Sequence, residues 1–159
     1  MRVIMFFAML LLISSCSRET ICEDREITPV FLKFTPADID TFIVRKYAAN
    51  SAFTNLLDSS IIVFGYSGYY MTHSDSTMVR LGSGQLQNGF DWQIFIPAKN
   101  KKINISEISS EKRTEKFNYG FFNTKKIAYT CDNRIFSIKQ DNQLVTFNNP
   151  DNYFVYINN

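Results

Sequence analysis

His73 is the single histidine of the chain, and it sits in His73-Ser74-Asp75-Ser76, which holds the residue types of a hydrolytic triad. Base, nucleophile and orienting carboxylate must converge from separate elements, which sequence neighbours do not readily do. The segment Gly65-Tyr66-Ser67-Gly68 lacks the spacing of a nucleophile elbow. The expected role of His73 is therefore a loop residue. Asp38 and Asp40 share a face of an extended segment, and Glu23-Asp24 adds two more carboxylates, the raw material for a calcium site or a glycosidase pair. The loop pattern and glycine of an EF-hand are missing, so solvated carboxylates are expected. Tyr66, Tyr69 and Tyr70 flank two glycines, and Phe117, Tyr119, Phe121 and Phe122 surround Gly120. Aromatic faces stack on sugar rings, so the three tyrosines form a candidate ligand platform. With 22 aromatic residues after residue 15, however, most must be core. The reading is of a chain with no catalytic residue, no metal and no cofactor.

The N-terminus carries a different kind of chemistry. Arg2 is followed by an unbroken apolar run from Val3 to Ile13, then Ser14, Ser15 and Cys16. A positive start, a short apolar stretch and small residues before a cut describe an export signal at residues 1–15. The run falls well short of the roughly 20 apolar residues that span a bilayer. Ile13-Ser14-Ser15-Cys16 resembles the lipobox of bacterial lipoproteins. That resemblance implies that the Cys16 thiol receives a diacylglyceryl group, that the chain is cut before it, and that the new amine takes a further fatty acyl chain such as palmitate. Two or more acyl chains give lasting attachment where one is marginal. The implied partner is membrane lipid, and the implied location is the cell envelope, on an outer membrane, since Ser17 after the cysteine is compatible with that sorting.

With residues 1–15 removed, 144 residues remain, enough for one domain. The formal charge of the whole chain is only +2. Nucleic acid is excluded as an expected partner, because such binding needs a basic face that displaces counterions. Lys99/Lys101/Lys102 and Lys112/Arg113/Lys116 lie among Asn, Ser and Glu and read as solvated loop charge. Assigning Cys16 to lipid leaves Cys22 and Cys131. In an oxidising compartment an even pair suggests a disulfide; two unrelated thiols is the other reading. No C-x-x-C spacing exists.

Residues 16–29 are polar and aperiodic, which predicts a lipidated flexible tether, and residues 30–159 a single domain. Val30–Phe34 and Asp40–Tyr47 are rich in β-branched and aromatic residues. Residues 48–58 (AANSAFTNLLD) are the best local helix. Strand-like runs follow at 60–66, 69–72, 77–81, 92–96 and 102–108. The segment 109–116 (SSEKRTEK) has almost no apolar content and reads as an exposed loop or a single helical turn. Later runs at 117–122, 126–131, 134–139, 143–147 and 153–157 include three separated by turn formers, which predicts a C-terminal antiparallel meander. Alternation puts Trp92, Ile94 and Ile96 on one core face. The fold class expected is all-β, an antiparallel β-sandwich of immunoglobulin or transthyretin type with one short helix.

Asp91-Trp92-Gln93-Ile94-Phe95-Ile96-Pro97, then Lys102–Ile108, then Cys131-Asp132-Asn133-Arg134-Ile135 resemble a large set of uncharacterised lipoproteins of the Bacteroidota. About a third of the chain carries the likeness. It implies a β-rich fold and no known activity. Asn142-Gln143 stands where that set has Asn-Gly, which weakens the case for a type I′ turn. Asp75-Ser76-Thr77 resembles the O-glycosylation motif of that group's envelope proteins. The function expected is a non-enzymatic binding module for a glycan or a protein partner. The alternatives are a structural or adhesive, pilus-like subunit that donates the strand 153–157 to a neighbour, and, less favoured, a small hydrolase.

Overall fold

The computed structural model describes residues 22–64, 69–81, 85–119, 126–148 and 153–159, with backbone alone for 23–24, 69–72, 115–119 and 126–130. In chain order the strands are β1 (Glu23–Asp24), β2 (Thr28–Leu32), β3 (Thr41–Ala48), β4 (Leu56–Val63), β5 (Tyr69–His73), β6 (Ser76–Arg80), β7 (Phe90–Ile96), β8 (Lys101–Tyr119), β9 (Lys126–Gln140), β10 (Gln143–Thr146) and β11 (Phe154–Asn158). They form two sheets. The larger has the order β1-β9-β8-β7-β3-β4, with β10 also paired to β9; the smaller has the order β11-β2-β6-β5. The fold is an all-β, sandwich-like arrangement of two mostly antiparallel sheets.

Alternation builds the core. Phe42 and Val44 of β3, Trp92, Ile94 and Ile96 of β7, and Ile103 and Ile105 of β8 are buried on one face of the larger sheet. Phe31, Val79, Val155 and Ile157 meet them from the smaller one. Phe31 joins the layers, with its ring 5.3 Å from Phe42 and 5.6 Å, edge-on, from Phe34. Each such fully buried side chain contributes about 2–3 kcal/mol of hydrophobic stabilisation.

Four expectations are corrected. Residues 48–58 form no helix; they are the β3–β4 connection and the start of β4. Asn50, Ala52 and Phe53 all adopt positive φ, and Ala48 N–H donates to Asn55 O at 3.0 Å. Eleven residues hold a helix only marginally in water. Here the segment gains more by pairing Leu56–Val63 along β3 and setting Phe53 edge-on to Tyr47 at 5.5 Å. The only helical pieces among the described residues are 3-10 turns at Pro36–Asp38 and Pro97–Lys99.

Second, residues 109–116 are not a loop but the middle of the 19-residue strand β8, paired rung by rung with β9. Third, the C-terminal meander stops after one hairpin. Asp141 and Asn142 at φ 48° and 68° make the turn between β9 and β10, both positive as a type I′ turn requires. The chain then crosses to the other sheet, where β11 runs parallel to β2. Fourth, the C-terminal part of the expected tether, residues 22–29, belongs to the fold. Ile27 is 1 % exposed, Thr28 and Pro29 belong to β2, and β1 lies parallel to β9.

Candidate functional site

The sequence-derived candidates do not converge. His73 ends β5 at an exposed hairpin, where the Ser76 hydroxyl donates to the His73 backbone carbonyl at 2.9 Å. That contact closes the turn to β6. Thr77 of the glycosylation-like triplet is buried in β6.

Asp38 also serves local structure. Its carboxylate accepts the Thr35 backbone N–H at 2.9 Å and faces Lys99 Nζ at 3.1 Å, tying one 3-10 turn to the other. The Thr35 N–H, and then Lys99, hold its pKa below the ordinary carboxylate value. Among the described residues, no group of three or more His, Cys, Asp or Glu is placed to hold a metal ion. Tyr66 and Cys16 lie outside the described residues. The backbones of Tyr69 and Tyr70 belong to β5, at the edge of the smaller sheet.

Cys22 and Cys131 are joined by a disulfide, with Cα atoms 4.6 Å apart across 109 positions of sequence. Beside it, the Arg25 guanidinium meets the Asp132 carboxylate at 3.0 Å. The bridge and this ion pair staple β1 to β9.

An array of organised polar and apolar groups lies on the outer face of the larger sheet, a feature no short motif announces. Register sets Arg45 of β3, Gln93 of β7 and Asn104 of β8 in one row. Arg45 Nη1 donates to Gln93 Oε1 at 3.0 Å, and Gln93 Nε2 donates to Asn104 Oδ1 at 2.8 Å. The guanidinium also lies over the Phe95 ring, 5.1 Å from its centroid, a cation–π contact that fixes the side chain flat. The next row is apolar, with Ile61, Ile43 and Phe95 on adjacent strands.

Nearby, Asp91 is 4 % exposed and accepts the backbone N–H groups of Asn50 and Ser51. Burial raises its pKa, against those two hydrogen bonds, and the charge of Glu107 adds to the rise. The carboxylate thus pins the β3–β4 connection to β7.

Among the described residues, this face ends at β4, the last strand in the order of the larger sheet. Phe64 N–H donates to Asp40 O, which fixes the phase of the β3–β4 ladder. Along Ser59–Val63 the even-numbered residues of β4 then bond β3, and the backbone groups of Ser59 and Ile61 point outward; the register shift between Lys46 and Tyr47 leaves Leu57 as an extra residue of β4. Ser59 N–H is taken by the Asp58 carboxylate at 2.8 Å. Ile61 is 63 % exposed and Leu57 52 %. Such an edge is where natural sheets usually place lysine, proline or a bulge; β4 has a bulge at Leu57 and Asp58 as its one charge, and its regular stretch Ser59–Val63 has neither lysine nor proline. The sequence suggests a strand only from residue 60; tertiary pairing extends it back to Leu56 and shows where it lies in the sheet.

No protein-family model, no curated protein and no solved structure matches this chain.

Proposed function

We propose that this chain is a lipid-anchored envelope protein, attached to the outer membrane through Cys16, whose domain is a non-enzymatic binding module for a protein partner. The partner would add an extended segment to β4 and cover the adjoining apolar row. One observation carries the reading: among the described residues β4 is an edge strand, with outward backbone groups at Ser59 and Ile61 and with the Ile61 and Leu57 side chains exposed. Main-chain pairing would supply affinity, and the side chains on the outer face would supply selectivity. The adhesive-subunit alternative is less favoured, since β11 is already paired along β2 and inserts Val155 and Ile157 into the core.

The test has two parts. Mass spectrometry of the membrane fraction should find Cys16 acylated at the mature N-terminus; an unmodified thiol there would reject the anchor. A photo-cross-linking side chain at Leu57 should trap a discrete protein species in cells. Ile61→Glu and Ser59→Pro should each erase that species without changing the unfolding midpoint. Its persistence in both variants would reject the edge as the binding site.

A further inference from the structure

Asn88-Gly89 is the one Asn-Gly pair in the sequence, and both residues lie exposed in the turn that leads into β7. The Cγ of an asparagine is within five-membered-ring reach of the next residue's backbone nitrogen, and a glycine there has no Cβ to obstruct the approach. Gly89 takes φ 84°, and among the described residues nothing lies within 4 Å of where its Cβ would stand.

The two groups are already together. Gly89 N–H donates to Asn88 Oδ1 at 2.7 Å. Among the described residues that N–H has no partner in a ladder, since β7 begins at Phe90. In Asn104-Ile105 and Asn142-Gln143, by contrast, the second residue carries a side chain and belongs to a paired strand.

A second contact restrains the pair. Asn88 Nδ2 donates to Ser110 Oγ of β8 at 2.6 Å. With Oδ1 held by the Gly89 N–H and Nδ2 held by Ser110, the amide presents its edge to the nitrogen. Ring closure needs instead the nitrogen's π electrons, perpendicular to the peptide plane, over Cγ. The χ2 of an asparagine is otherwise broad, but here the rotation that brings Cγ into line breaks both hydrogen bonds.

We propose that Asn88-Gly89 is a self-modification site, a slow chemical clock whose rate Ser110 restrains. Gly89 N gives its proton to hydroxide and attacks Asn88 Cγ. The N–Cγ bond forms, the Cγ–Nδ2 bond breaks, and Nδ2 takes a proton from water and leaves as ammonia, which regenerates the hydroxide. Water then opens the five-membered imide. Cleavage of the N–Cγ bond leaves aspartate in place of Asn88. Cleavage between the nitrogen and the backbone carbonyl leaves isoaspartate, with the main chain routed through Cγ. One water is consumed and one ammonia released. The surroundings accept the product: Leu86 is fully buried and Trp92 Nε1 donates to Gln87 O at 2.9 Å, so the turn is held from its N-terminal side. Each conversion removes one unit from a net charge of only +2, so older molecules differ in charge from new ones.

The test follows the purified, folded protein over time by peptide mass spectrometry. The peptide containing Asn88 should gain about 1 Da and appear in aspartate and isoaspartate forms. Its rate should be about tenfold higher at pH 8 than at pH 7, in proportion to hydroxide. Peptides containing Asn104 or Asn142 should convert far more slowly. Ser110→Ala should convert about fivefold faster, the worth of one hydrogen bond in the barrier; Ser110→Thr, which keeps the hydroxyl, should match the parent. Trp92 fluorescence in urea checks that each variant is folded. Asn88 converting no faster than Asn104 and Asn142 would overturn the site. Aspartate without isoaspartate would overturn the cyclic route, and Ser110→Ala at the parent's rate or below would overturn the restraint.

Discussion

Replacing Cys22 and Cys131 together with serine should lower stability far more than any surface change at the same place. The bridge closes a loop of 109 positions. The chain-entropy relation then gives a loss of unfolded-state entropy of about 16 cal/mol/K, or about 5 kcal/mol at 25 °C. The neighbouring Arg25–Asp132 pair is partly exposed, and such pairs contribute about 1 kcal/mol at most, so it does not replace the bridge. With an unfolding entropy of about 2.1 cal/mol/K per residue over about 138 residues, the melting temperature should fall by about 16 °C. The assay is urea unfolding followed by the fluorescence of Trp92, the single tryptophan, which is buried in the core. At a slope of about 2 kcal/mol/M, the midpoint should drop by about 2.5 M. A drop below about 0.5 M, with an unchanged slope, would refute the loop-entropy reasoning. It would mean that the unfolded chain keeps residues 22 and 131 close without the bond.

Three further outcomes follow from the packing. Ile94→Ala removes a fully buried side chain from β7 and should cost about 2–5 kcal/mol, whereas Ile61→Ala on the open edge should stay within about 0.5 kcal/mol; equal costs in urea unfolding would contradict the assigned faces. Asp91 has a raised pKa in the folded protein, so it favours folding most when protonated, and that contribution is lost as pH rises from about 3.8 through the raised value. Urea midpoints measured from pH 4 to 7 should fall relative to those of Asp91→Asn as pH rises; parallel curves would show that burial does not dominate at this carboxylate. Deleting residues 153–159 should unfold the domain rather than free an edge, because Val155 and Ile157 are core residues; a soluble, cooperatively folded product by circular dichroism would disprove this.

What was legible in the sequence was what depends on neighbours along the chain. The alternation of Trp92, Ile94 and Ile96, and the turn formers at Asp141 and Asn142, report burial and backbone geometry locally. Residues 109–116 are a strand with almost no apolar signal, because cross-strand hydrogen bonding holds that part of β8 where burial does not. Hydropathy is silent there. Residues 48–58 carry helix formers such as Ala48, Ala49 and Leu56, but pairing of β4 with β3 outweighs that weak preference. The parallel partnership of β11 with β2 and the open edge of β4 belong to the assembled sheets alone. The candidate site was hidden for the same reason. Arg45, Gln93 and Asn104 are far apart in sequence and become a row only through register.

The pairing of β11 with β2 also constrains when the domain can form. Thr28 and Phe154 are 126 positions apart in sequence, yet they are neighbours across a ladder. The smaller sheet therefore cannot close while its final strand is still inside a ribosome or an export channel. A fold dominated by such distant pairings assembles slowly. If, as proposed, the chain is exported, the delay is protective: the smaller sheet stays open until its last strand has arrived.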